Sequence, residues 1–216
     1  GEAFVLARYL ANGALDPSYG LNGVAVTPVP HGPDGPNSTT VFAGRAKLLP
    51  NGQVVTAAGL RHWWYVGSTG FTRDDFLLGR FNSNGSLDTS FGNNNGWLIH
   101  DPHGNQEFDY VTSLAVQFDG KLVVAGSTRP SWIDPGHSDI TLVRYLPNGT
   151  PDPSFGGGDG VVRSDLFNDS DDGANGLSVQ QDGKLLVSGN TKLSNATSYS
   201  LTLVRYLGDH SGGVCP

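Results

Sequence analysis

Apolar residues in this chain fall into short alternating runs, each closed by a glycine-bearing turn, and no segment keeps helical periodicity for a useful length. The runs repeat. Phe4–Tyr9, Phe76–Phe81, Ile140–Tyr145 and Leu201–Tyr206 share one pattern, an apolar alternation that ends in Arg and an aromatic residue. Three of the four continue through an Asn-Gly pair into Asp-x-Ser-aromatic-Gly: Asn12-Gly13 with Asp16–Gly20, Asn84-Gly85 with Asp88–Gly92, and Asn148-Gly149 with Asp152–Gly156. Each then enters another apolar run, at Gly23–Thr27, Gly96–His100 and Gly160–Ser164. A second hairpin lies between successive copies, at Ala46–Gly59, Leu114–Gly126 and Leu177–Gly189, turned at Asn51-Gly52, Asp119-Gly120 and Asp182-Gly183. Such pairs between β-rich runs predict tight hairpins with both central residues at positive φ.

Each repeat therefore supplies four short strands, which cannot bury both faces of their sheet alone. Stacking such sheets around an axis buries those faces and leaves only short edges, which is the logic of a β-propeller blade. With the strands named a to d from the inside, the chain reads c–d, then a–b–c–d twice, then a–b–c, thirteen strands in all. The expected fold is all-β, a propeller of four-stranded antiparallel blades, with about three blades and one further strand in a single domain over residues 1–207 and a tail over 208–216. A closed ring usually has roughly four to eight blades. The chain is thus expected to be part of a longer propeller or to complete a ring with copies of itself.

The repeat resembles the bacterial delta-60 repeat, a propeller-forming unit, on the segments Phe76–Gly92 and Leu114–Gly126 and their counterparts along nearly the whole chain. It departs from that pattern in the Trp-rich insertion at Arg61–Arg73 and in the tail. The resemblance implies an exported protein, extracellular, periplasmic or on the cell surface, and it carries over no catalytic residues.

Composition narrows the function. The net charge is −7 with no run of Lys or Arg, which excludes a nucleic-acid partner because phosphate binding needs a concentrated basic surface. No apolar stretch approaches the ~18 residues that span a bilayer. Met is absent, so the chain reads as a mature or trimmed product, and the lone Cys215 allows neither an internal disulfide nor a Cys-based metal site.

Residues that recur in every repeat serve the blade, and those that do not are candidates for function. The Arg8–Asp16, Arg80–Asp88 and Arg144–Asp152 pairs belong to the first class, each able to close its turn by a charge-assisted hydrogen bond. The second class falls in the d–a and b–c connections, which emerge on one face of a propeller. Those connections carry His62, Trp63, Trp64 and Tyr65, then His103 and Asp109, then Trp132, Asp134 and His137 as candidate binding residues. Asp169, Asp171 and Asp172 are candidate Ca²⁺ ligands through hard oxygens, without the spacing or the terminal Glu of a calcium hand. Ca²⁺ is the one cofactor this sequence suggests. The preferred reading is a non-enzymatic surface module whose partner is a protein, a copy of itself or a polysaccharide, since aromatic side chains stack on sugars and anchor interfaces. The alternative is a carbohydrate-active hydrolase or lyase using Asp and His of the same rim.

Overall fold

The computed structural model describes residues 2–30, 39–66, 68–92, 94–102, 104, 108–129 and 137–208. Among them lie thirteen strands and no helix. The strands are β1 (Ala3–Ala7), β2 (Val24–Pro28), β3 (Thr39–Leu48), β4 (Val54–Val66), β5 (Thr69–Phe81), β6 (Trp97–His100), β7 (Phe108–Val116), β8 (Leu122–Arg129), β9 (Asp139–Tyr145), β10 (Val161–Ser164), β11 (Asp171–Val179), β12 (Leu185–Lys192) and β13 (Ser200–Tyr206). They pair antiparallel in sequence order as β1–β2, β3–β4–β5–β6, β7–β8–β9–β10 and β11–β12–β13. One parallel bridge, Asp74 to Phe108, links the two four-stranded blades. The order c–d, a–b–c–d, a–b–c–d, a–b–c is the propeller arrangement, open between the first and last sheets, which share no strand pairing.

The hairpin turns correct one expectation. Positive φ occurs at Gly13, Gly52, Gly85, Gly120, Gly149 and Gly183, but the preceding Asn or Asp keeps ordinary negative φ. At the first a–b turn the Leu49 amide donates to Gln53 O and the Gly52 amide donates back to Leu49 O, which makes a three-residue loop with Gly at its bulge. Asn51 is there for its side chain, which accepts from the Gln53 amide. Asn84 and Asn148 act in the same way on Ser86 and Thr150. Each innermost strand also bulges, between Phe42 and Arg45, Val111 and Ser113, and Ala174 and Gly176, a device that bends a strand.

Three cores lie between successive sheets. Phe4, Leu6 and Val29 pack on Leu60, Leu77, Phe81 and Trp97. Val55, Ala57, Phe76, Leu78 and Leu98 of the first blade meet Val111, Leu114, Val124, Val143 and Tyr145 of the second. Val123, Ala125, Ile140 and Leu142 meet Ala174, Leu185 and Val187 of the last sheet. Strand alternation sends Phe76 and Leu78 forward to the next sheet and Leu77 back to the previous one, so both faces of a blade are buried.

The recurring polar residues fasten these junctions. Arg8 Nε donates to Asp16 at 2.8 Å and Arg80 Nε to Asp88 at 2.7 Å, and Arg144 Nε lies 2.9 Å from Asp152. Each guanidinium also stacks on the aromatic of its own turn, Tyr19, Phe91 or Phe155. From there Arg8 reaches Ser83 O, and Arg80 reaches Pro147 O, in the next repeat, both at 2.7 Å. The Gly20 amide donates to Asn84 O and the Gly92 amide to Asn148 O across the same junctions. Tyr19 and Phe91 then lie so close to Gly85 and Gly149 that a Cβ there would meet the ring at under 3 Å.

Candidate functional site

The b–c insertion of the first blade is not a loop. β4 and β5 continue past the blade as a paired ribbon, with Trp63 opposite Thr72, Trp64 opposite Phe71 and Tyr65 opposite Gly70, out to Val66 and Thr69. Its counterparts β8 and β9 end at Arg129 and Asp139. Trp and Tyr with Val, Thr and Phe favour a pleated strand, and the antiparallel register simply extends. Trp63 is exposed on this ribbon.

Four charged residues, a histidine and two rings hold its root. Arg61 Nε and Nη2 each donate to Asp74 at 2.6 Å, a two-pronged bond, and the guanidinium lies over the Phe42 ring. The bond to Asp74 raises the Arg61 pKa against the effect of burial. Phe42 meets Tyr110 edge-on at 6.0 Å between ring centres. Burial first, and the Asp74 charge second, raise the Tyr110 hydroxyl above its ordinary pKa. On the other side of the ribbon His62 Nε2 lies 3.0 Å from Asp75, and Arg73 Nε lies 3.4 Å from the same oxygen. Both His62 and Asp75 are buried, so this imidazole belongs to the root of the ribbon.

Asp109 is likewise inside. Its carboxylate accepts from Thr128 Oγ1 at 2.6 Å, which in turn meets Thr141 at 2.7 Å. The last sheet repeats the ladder with Asp172, Thr191 and Thr202 at 2.6 and 2.7 Å. In the first blade Leu60 and Leu77 fill the corresponding places, fully buried. Asp109 and Asp172 with their threonines thus put a polar ladder where the first blade has apolar packing.

The Asp loop is arranged differently from its sequence grouping. Carboxylate oxygens converge from Asp139, Asp165 and Asp172, all within 4.8 Å of one another. Asp172 is occupied by Thr191, Ser170 and the Leu166 amide. Asp165 accepts from the Asp169 and Phe167 amides, and Asp139 from Arg163. Burial raises the Asp139 pKa; Arg163 opposes this and the neighbouring carboxylates Asp165 and Asp172 add to it. Asp169 is exposed at positive φ, and Asp171 accepts from the Ser138 amide with His137 Nδ1 at 3.5 Å. So Asp169 and Asp171 stand outside the convergent group, and Asp139, which opens a strand, enters it. His103, Trp132 and Asp134 lie outside the described residues, and so do Cys215 and the side chains of Trp64 and Tyr65.

Two grooves open at the opposite end, among the a–b and c–d turns. One, of about 560 Å³, is lined by Leu48, Val116, Phe118, Leu122 and Pro147 between the two blades. The other, of about 420 Å³, runs beside β1 along Val5, Ala7, Tyr19, Ala46 and Leu48. Neither contains the convergent carboxylates. What the rim offers chemically is a ribbon with an exposed indole above a locked set of charges.

The profile of a family described as a domain of unknown function (DUF5122) β-propeller matches residues 1–19, 63–91, 117–155 and 180–209, together more than half of the chain. Each matched segment holds one Arg-aromatic strand end, and the first three run on into the Asp-x-Ser-aromatic element that fastens a junction. No curated protein and no solved structure matches the chain.

Proposed function

The chain belongs to the DUF5122 β-propeller family, and from that premise we propose that it is a non-catalytic binding and structural module of an exported protein. Its repeats are of the delta-60 type within that family, as Phe76–Gly92 and Leu114–Gly126 support. It works outside the cytoplasm, in the periplasm or on the cell surface, as one arc of a larger propeller assembly. The rim that carries the β4–β5 ribbon holds the partner, a protein or a polysaccharide.

The observation that carries this reading is the ribbon itself. It extends beyond what the blade needs, ends in aromatic residues and displays Trp63 to solvent, and an exposed indole is the side chain best suited to anchor an interface or stack on a sugar. Against the hydrolase reading, His62 and Asp109 are buried in structural contacts, and the convergent Asp139, Asp165 and Asp172 are engaged by Arg163, backbone amides and hydroxyls.

The test uses affinity electrophoresis in gels cast with neutral polysaccharides, xylan and mixed-linkage glucan. The wild-type chain is expected to be retarded, and Trp63→Ala with Trp64→Ala is expected to run freely with unchanged melting. Retardation that persists in the double variant rejects the ribbon as the binding element. Release of reducing sugar by the wild type, abolished in Asp139→Asn, rejects the non-catalytic reading.

A further inference from the structure

Two interior junctions of this chain, those made by Arg8 and by Arg80, pair a giving face with a receiving face, and the two ends of the arc each show one such face uncovered. The giving face of a sheet is the forward side of its c strand, with two apolar residues and the Arg: Phe4, Leu6 and Arg8, or Phe76, Leu78 and Arg80. The receiving face is the backward side of the next c strand, with Leu77 and Phe81, or Thr141 and Tyr145, beside an Asn-Gly turn. That turn's carbonyls accept the Arg and the glycine amide, and its bare Gly seats the aromatic ring.

On β13 the giving positions are Leu201, Leu203 and Arg205. Leu203 is 64% exposed where Leu142 and Leu78 are 0%. Arg205 has no hydrogen-bond or ion-pair partner among the described residues. On β1 the receiving positions are Val5 and Tyr9. Tyr9 is 64% exposed where Phe81 and Tyr145 are 0%. Nothing lies within 4 Å of where a Cβ on Gly13 would sit, whereas Gly85 and Gly149 each carry a ring. The Gly13 seat is formed, at the same positive φ, and empty.

We propose that the occupant of each free face is a second copy of this chain, joined head to tail, with the Leu201–Leu203–Arg205 face of one copy packed on the Val5–Tyr9 face and Ala11–Gly13 turn of the next. The proposal rests on the assembly reading above and names its partner. The argument is continuity with an interface the chain already makes. On the strands the two faces match a junction that the molecule builds between its own sheets, Leu203 and Arg205 standing where Leu78 and Arg80 stand and Val5 and Tyr9 where Leu77 and Phe81 do, while the turn ring and glycine amide of an interior junction have no counterpart after Tyr206. Arg205 is placed to donate to the Ala11 carbonyl, as Arg8 does to Ser83 and Arg80 to Pro147. Apolar strand faces of this kind, left open, are association sites. The interface is heterologous, so copies close into a ring or extend an arc according to the rotation per junction.

The experiment is sedimentation velocity over a concentration series on the wild-type chain and on two variants, Val5→Asp and Leu203→Asp. Both positions are exposed in the single chain, so melting should match the wild type. The wild type is expected to show a mass that rises with concentration, and each variant alone the mass of one chain. An equimolar mixture of the two variants is expected to form a one-to-one pair, because the Val5→Asp copy keeps its giving face and the Leu203→Asp copy keeps its receiving face. Association that survives in both variants, or a mixture that fails to pair, overturns this docking while leaving assembly through another surface. A wild type of single-chain mass at every concentration overturns the docking and the assembly reading together.

Discussion

At the scale of single residues, the same glycine does two jobs, and the ends of the arc separate them. Gly13, Gly85 and Gly149 share positive φ values of 84°, 90° and 93°. Ala at any of them pays the cost of a left-handed backbone, on the order of 1 kcal/mol. At Gly149 a Cβ also meets the Phe91 ring at 2.7 Å, and overpacking of that kind costs a further ~1–3 kcal/mol. Gly149→Ala is therefore expected to lower unfolding free energy by clearly more than Gly13→Ala in matched urea titrations; equal losses would mean that the ring is not seated on the turn. The Asp of each turn makes a second prediction. Burial pushes the Asp152 carboxyl up, but bonds from the Ser154 hydroxyl and amide, then Lys121 and the Arg144 charge, outweigh it and hold its pKa to about 2, below the ordinary 3.8. Asp16 and Asp88 shift the same way. A carboxyl whose folded pKa is depressed stabilises the fold above its unfolded pKa, and this contribution disappears as pH falls through the folded one. Stability should thus drop between about pH 4 and pH 2, and Asp152→Asn should flatten that part of the curve measured by urea unfolding at each pH.

At the scale of elements, the ribbon differs from the blade that bears it. Beyond Leu60 and Asp75, β4 and β5 have only each other for hydrogen bonding over most of their length, whereas β8 is flanked by β7 and β9 throughout. Amides of Trp63–Val66 and Thr69–Thr72 are expected to exchange with solvent well before those of Val123–Ala125, because opening a two-stranded ribbon breaks no core. Uniform protection along β4 would show instead that the ribbon is packed on something. The thirteen strands were legible in the sequence because apolar alternation and glycine turns recur, and recurrence averages out local ambiguity. The ribbon was not, because Arg61–Arg73 has no counterpart in the other repeats and so falls out of the pattern, although Trp63, Trp64, Tyr65 and Val66 all favour strands. The turn geometry misled for a related reason: Asn51-Gly52 suggests two positive φ angles, and only the side-chain bond from Asn51 to the Gln53 amide shows why Asn stands there. At the rim, residue type picked out side chains without saying which way each one turns. Register decides that Asp109 and Asp172 turn inward onto Thr128 and Thr191, and that Asp139, which opens β9, joins Asp165.

At the scale of the whole molecule, stability is a chain of nearest-neighbour interfaces, since each sheet touches only the sheets beside it. The first interface is the smallest in strand number, two strands against four, yet it covers Leu60, Leu77, Phe81 and Trp97. Trp97 sits at its centre, 5.3 Å from Phe4 and 5.7 Å from Phe81 between ring centres, and it also lies over Gly79 of its own blade. Trp97→Ala in the full chain is expected to cost roughly 3–5 kcal/mol, the usual range for emptying a buried aromatic site. In a chain lacking residues 1–30 the Phe4 side of that site is gone, and the same substitution should cost much less, retaining only the part due to Phe81 and Gly79. Urea unfolding of the four proteins gives the coupling directly as a double-mutant cycle. A coupling near zero would mean that β1–β2 does not rest on the first blade. A large one would mean that a c–d pair lacking its own a and b strands docks as a full blade does, through face residues and the Arg-to-turn fastening alone. That capacity is what a β1–β2 sheet needs if it is to receive the β13 face of another copy.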